Sequence, residues 1–190
     1  MKTARVEAFS DGVMAIIITI MVLQFEPPEA ATWEALSALF PTFLSYVISF
    51  LFVGIFWSNH HNLMHNASQV RGLDLWLNLN FLFWLSLTPF TTAWMDAHVF
   101  SHVPVALYGG VLSACTLSYL ALKISIKRGH VGQQPNPDAT PDITHNRIRI
   151  SILGQFAGIL VSFVAPQIAV GLYLFSTLPW IVPEPPKSRA

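Results

Sequence analysis

Residues 5–25 of this 190-residue chain read RVEAFSDGVMAIIITIMVLQF, and the reading of this stretch decides the fold. Arg5, Glu7, Ser10 and Asp11 lead directly into an apolar run from Val13 to Leu23, broken only by the hydroxyl of Thr19. Pro27 and Pro28 close the run, because proline lacks the backbone N–H that a continuing helix needs. Basic residues ahead of an apolar run also mark secretory leaders, but Glu7 and Asp11 sit where a leader is basic or apolar. The stretch therefore reads as a retained membrane helix over residues 9–25, with a charged foot.

Working outward, the same kind of run recurs. A helix needs about 20 mostly apolar residues to cross a hydrocarbon layer of about 30 Å. Further runs of this type cover residues 33–57, 73–94, 103–124, 148–165 and 168–182. The last two meet at Pro166 and Gln167, a connection so short that they must be antiparallel neighbours. Residues 129–144, with Pro135, Pro137 and Pro141, read as a loop. The expectation is thus an all-α membrane protein, a single domain over residues 1–190 with six transmembrane helices. Composition agrees, with 53% hydrophobic and 11% charged residues against roughly 25% charged in a soluble domain. A formal net charge of zero argues against nucleic acid as a partner. The lone Cys115 excludes an intrachain disulfide or a cysteine metal cluster.

Orientation follows from where the basic residues fall. If the N-terminus is cytoplasmic, Lys2, Arg5, Arg71, Lys123, Lys127, Arg128, Arg147, Arg149, Lys187 and Arg189 all lie at cytoplasmic ends, as the positive-inside rule asks. The C-terminus is then cytoplasmic too. The external connections carry Glu26, Glu29 and Asp96 instead. Trp33, Trp57, Trp76, Trp94 and Trp180 fall near helix ends, where indoles prefer the headgroup region, and only Trp84 lies mid-span.

Two features of the first helix carry candidate chemistry. Ionisable groups at the membrane edge usually face protein or water and pair with one another, which marks Arg5 and Asp11 as functional candidates. The structural account stands beside it: Arg5 anchors the helix at the interface and Asp11 favours the helix N-terminal dipole. Ile16, Ile20 and Leu23 recur at helical spacing with Thr19 beside them, a stripe that ordinarily packs against a neighbouring helix.

Arg5-x3-Phe9-Ser10-Asp11, followed by Gly12 and an isoleucine-rich run, resembles the signature of the transmembrane protein 175 family of lysosomal and bacterial potassium channels. The resemblance extends to six spans, to Trp57 with His60 and His61, and to a third span bearing Asn78, Asn80 and Pro89. It fits the bacterial form, with one six-helix unit per subunit. The resemblance implies a homotetramer whose first helices surround a potassium path. Ile16, Ile20 and Leu23 would form its hydrophobic constriction, with Thr19 also near the path. It further implies a polar network of Arg5, Ser10 and Asp11 at the cytoplasmic foot of the first helix; Trp57, His60, His61 and Asn78 are added here as its partners. No cofactor beyond permeant K+ is expected, and the expected partners are the lipid bilayer, monovalent cations and other copies of the chain. The bacterial plasma membrane is the expected location.

Other readings are available. His61 and His65 stand four apart and would align on a helical extension, but a metal site lacks a nearby carboxylate in sequence. Proton sensing is the alternative use of imidazoles. A secondary transporter would place polar groups and broken helices near mid-membrane. An enzyme would need a nucleophile motif or a phosphate-binding glycine loop, and neither is present in the sequence.

Overall fold

The computed structural model describes residues 3–65, 67, 69–98, 101–129 and 143–181, with the side chains of 143–146 excepted. The described residues are helical throughout their regular structure. α1 spans Thr3–Val22, α2 Trp33–Ser37, α3 Phe40–His65, α4 Gly72–Ser86, α5 Thr88–Ala97, α6 His102–Gly129, α7 Ile143–Ser162 and α8 Pro166–Thr177, with a 3-10 turn at Leu178–Trp180. Two residues part α2 from α3, and one parts α4 from α5.

Several expected boundaries are corrected. α1 begins at Thr3 rather than Phe9, because its charged foot is itself helical and packed. It ends at Val22, and the N–H groups of Leu23, Gln24 and Phe25 turn to the carbonyls three residues back, a tightening of the last turn that precedes Pro27. The second span breaks at Ala38 and Leu39, just before Pro41, which cannot donate a hydrogen bond. α3 then runs on to His65, past the expected end at Trp57. The third span is two helices parted at Leu87, two residues before Pro89, where the Leu87 N–H reaches only to Trp84 O. α7 begins at Ile143, ahead of the expected Ile148. Residues 130–142 of the expected loop, and Val182, lie outside the described residues.

α6 is the central rod. It packs against α4, α5, α7 and α8, and it buries Val105, Tyr108, Leu112, Cys115, Tyr119 and Leu122. α1 lies against α3, α4 and α5 on the other side. α7 and α8 form the expected antiparallel hairpin, with Pro166 as the first residue of α8, where its missing N–H costs nothing. Tyr173 of α8 wedges between Gly109 of α6 and Gly158 of α7, and its hydroxyl donates to Val105 O at 3.2 Å. A Cβ at either glycine would overlap the tyrosine ring, so the wedge requires both.

The partition of polarity is inverted relative to a water-soluble domain. Ser10, Ser45, Ser49, His60, Asn78, Thr88 and Gln155 are buried, while Trp33, Phe40, Leu153, Leu160, Phe163 and Val164 stand exposed. Apolar surface of that extent suits a hydrocarbon surrounding, and inward hydroxyls and amides tie helices together there. Ser49 bonds both Thr92 and Tyr108, Asn80 donates to Ser118, and Gln155 donates to Thr116. By length and composition, Trp33–His65 and His102–Gly129 suffice to cross a bilayer; the other described helices are shorter or carry more charge.

Candidate functional site

α1 has two faces. Val6, Ser10, Met14, Ile17 and Met21, spaced three or four apart, are buried against α3, α4 and α5. The opposite face is uncovered: Phe9 is 55% exposed, Ile16 57%, Ile20 41% and Leu23 77%. All four candidate constriction residues, Ile16, Thr19, Ile20 and Leu23, belong to this uncovered side. Thr19 Oγ1 donates to Ile16 O at 2.9 Å, so the hydroxyl proton is held by its own helix and the oxygen lone pairs remain outward. A groove of about 500 Å³ runs beside this face, between Val13 and Ile16 on α1 with Gln24 just past its end, and Ser86, Pro89 and Phe90 at the α4/α5 break.

The foot of α1 is fixed in two layers. The inner layer is buried. Asn78 Nδ2 donates to Ser10 Oγ at 3.0 Å, and Ser10 Oγ donates to Val6 O at 2.9 Å. The amide oxygen of Asn78 therefore faces His60 Nε2, 2.8 Å away, which must be the donor. His60 is thus assigned as the Nε2–H tautomer, leaving Nδ1 a buried acceptor with no partner among the described residues. The imidazole lies nearly parallel to Phe81, with ring centroids 5.9 Å apart.

The outer layer is half-exposed and follows helical spacing. Trp57 Nε1 donates to Asp11 Oδ1 at 3.1 Å, and one turn away His61 Nδ1 meets Glu7 Oε1 at 2.8 Å. Glu7 and Asp11 are four apart on α1, as are Trp57 and His61 on the antiparallel α3, so the contacts are two rungs of one ladder. Trp57, His61 and His65 also stack along α3, at centroid separations of 6.2 and 6.0 Å.

The structure thus brings Ser10, His60 and Asn78 together, and separately Asp11 with Trp57. Arg5, expected in the same network, is exposed and joins no hydrogen bond or ion pair among the described residues. Its place on the ladder is taken by Glu7, which the sequence marks only as part of the charged foot. The i, i+4 spacing of Glu7 with Asp11 and of Trp57 with His61 was the available signal. Among the described residues no group of three or more His, Cys, Asp or Glu side chains is arranged to hold a metal ion. A second polar knot, equally unforeseen, lies at the start of α4: the Arg71 N–H donates to Asp74 at 2.8 Å, and the Arg71 side chain bonds Asp74 and Ser125.

Comparison with known proteins follows this geometry. Residues 5–89, which carry both layers at the foot of α1, match the family described as the endosomal/lysosomal potassium channel TMEM175. A potassium channel of Chryseobacterium sp. (strain P1-3) is 42% identical over 186 residues, spanning 97% of this chain and 95% of that one. A potassium channel of Streptomyces collinus is 35% identical, with 90% and 88% covered. The human endosomal/lysosomal proton channel TMEM175 is 35% identical over 132 residues, 62% of this chain and 25% of that protein. The fold is shared with the crystal structure of a lysosomal potassium-selective channel TMEM175 homolog from Chamaesiphon minutus, at a TM-score of 0.77 and 24% identity over 94% of this chain and 96% of that chain. These relatives are named as channels, which decides against the transporter and enzyme alternatives. The chain belongs to the TMEM175 family, a family of membrane ion channels.

Proposed function

We propose that this chain is one subunit of a homotetrameric, potassium-selective cation channel, with the first helices of four copies lining a central path. The observation that carries this reading is the two-faced α1: one side is locked to its own subunit and the other, with Ile16, Ile20 and Leu23, is left bare. One subunit does not enclose a water path, so conduction requires symmetric assembly, and the groove beside α1 leaves room for a neighbouring copy. In this arrangement the chain is a single domain over residues 1–190, crosses the plasma membrane of a bacterium six times and keeps both termini cytoplasmic. It needs no cofactor beyond the permeant ion.

A ring of isoleucines lacks the oxygens that replace hydration water, so it gates by expelling water and conducts when it widens. Potassium sheds its hydration more readily than sodium, and the outward lone pairs of Thr19 offset part of that loss. Glu26 and Glu29, both exposed beyond the end of α1, concentrate cations at the external mouth. The buried Ser10–Asn78–His60 chain holds α1 in register with α3 and α4 rather than touching the ion. Protons are a second permeant to test, since the mammalian relatives are named as proton channels.

The test is cation flux into liposomes holding purified protein, under matched potassium and sodium gradients. Wild type is expected to pass potassium in preference to sodium; Ile16→Asn is expected to raise total flux and to narrow that preference. Absence of flux from well-folded oligomers would remove the channel reading, and unchanged flux in Ile16→Asn would remove Ile16 from the constriction.

A further inference from the structure

The paired ends of α6 and α7 carry five of the ten basic residues of the chain, Lys123, Lys127, Arg128, Arg147 and Arg149, and neither helix contains a carboxylate. Their register is fixed by Gln155 Nε2, which donates to Thr116 Oγ1 at 3.0 Å. Counting antiparallel from that bond, one helical turn per step, brings Lys123 level with Arg147 and Ile148.

A cleft between α3 and the α6–α7 pair, lined also by Ser176, Thr177 and Trp180, ends at this level. Thr116, Tyr119 and Leu120 line it from α6, and Ile148, Ser151 and Gln155 from α7. Residues three and four apart share a helix face, so Lys123 and Lys127 continue the α6 wall and Arg147 continues the α7 wall. Three cations thus rim one end of the cleft. Its outer walls, Ile55 of α3 with Leu120 and Ile148, are half-exposed and apolar. Its closed depth is about 20 Å³, room for a single water, for which the buried Gln155 Oε1, without a partner among the described residues, is an acceptor. A compact soluble ligand therefore has no space to be enclosed, whereas a chain lying along the half-open walls does.

We infer that this end of the α3/α6/α7 cleft is a site for an anionic phospholipid, its headgroup phosphate on Lys123, Lys127 and Arg147 and an acyl chain along Ile55, Leu120 and Ile148. The site rests on the membrane-spanning topology proposed above, which puts these cations at the cytoplasmic headgroup level. Basic pockets between transmembrane helices on that side suit such headgroups. Lys123, Lys127 and Arg147 already have contacts within the protein. An ammonium with three donors and a guanidinium with five serve a phosphate in addition to a protein partner. The carboxylate of the neighbouring α4, Asp74, is committed to Arg71 and Ser125. Arg128 and Arg149 stand on other faces of the same turns.

The experiment is native mass spectrometry of the full chain, released from vesicles of equimolar phosphatidylglycerol and phosphatidylcholine. Wild type is expected to retain phosphatidylglycerol in excess. Lys123→Gln combined with Arg147→Gln should cut that excess by about fivefold for each charge removed, with Arg128→Gln changing it little. Equal retention of the two lipids by wild type would overturn the site. So would a loss in Arg128→Gln as large as in Lys123→Gln, since that marks a diffuse surface potential rather than a cleft. Displacement of the bound lipid by inorganic phosphate alone would overturn the lipid assignment in favour of a free-phosphate site. The readout needs no ion conduction, so a protein that keeps the lipid but passes no cation refutes the channel reading and leaves this one standing.

Discussion

The foot of α1 and the wedge around Tyr173 join helices by opposite means. At the foot, α1 meets α3 and α4 through directional polar bonds: Ser10 to Asn78 to His60 inside, Asp11 to Trp57 and Glu7 to His61 outside. At the wedge, α6, α7 and α8 meet by shape, with the Tyr173 ring filling space that only Gly109 and Gly158 leave open. Polar rungs tolerate small shifts in helix position and lose strength by steps. A steric wedge has no such slack, because a protein interior is close-packed and an added methyl has nowhere to go. The helix that carries the bare Ile16 and Ile20 face is therefore held at its foot by the adjustable kind of joint, whereas the α6–α8 contact around Tyr173 is of the rigid kind.

That contrast can be broken most violently at the wedge. Gly158→Leu is expected to cost upwards of about 3 kcal/mol, since overpacking of this kind displaces neighbouring backbone. It should appear as loss of monodisperse protein on size-exclusion chromatography. Tyr173→Leu in the same background should recover part of the yield; no recovery would mean that the glycine is needed for something other than the ring.

The inner layer of the foot should respond less. Asn78→Leu strands the His60 Nε2–H in a buried place and removes a donor from Ser10, a loss of about 1–3 kcal/mol. Thermal unfolding in detergent reads this directly. A midpoint equal to wild type would show that the chain of bonds contributes only orientation.

The outer layer should respond least. Glu7→Gln removes a pair whose side chains are 20% and 49% exposed, and exposed pairs contribute below about 1 kcal/mol. At a pH that protonates His61, the difference from wild type should shrink as salt rises, because screening weakens a charged pair. An effect as large as that of Asn78→Leu would show that the outer ladder, not the buried chain, holds α1.

Much of this architecture was legible beforehand. The apolar runs, the proline stops and the α7–α8 turn at Pro166 follow from local chemistry, and the helices lie where those runs are. The breaks at Ala38–Leu39 and Leu87 were not foreseen, although Pro41 and Pro89 stood in plain view. Proline says that a helix is disturbed nearby, but whether it kinks, parts or passes depends on what its neighbours satisfy. Ser10, His60 and Asn78, expected in one network, do meet. Arg5, expected with them, stands apart, while Glu7 makes a rung that its place in the charged foot does not announce.

By itself, the sequence determined the solvent and the element type. Long apolar runs with so few charges leave the backbone no partner in lipid except itself, and that dictates helices. It also determined that the first helix would carry a charged foot under an isoleucine-rich stripe. Only the tertiary structure decided which face of α1 is locked and which is free, and which carboxylate answers which ring. Those choices depend on the register between α1 and α3, which local chemistry does not fix, because Met14, Ile17 and Met21 share one core with Phe52, Val53 and Leu85, residues distant in sequence.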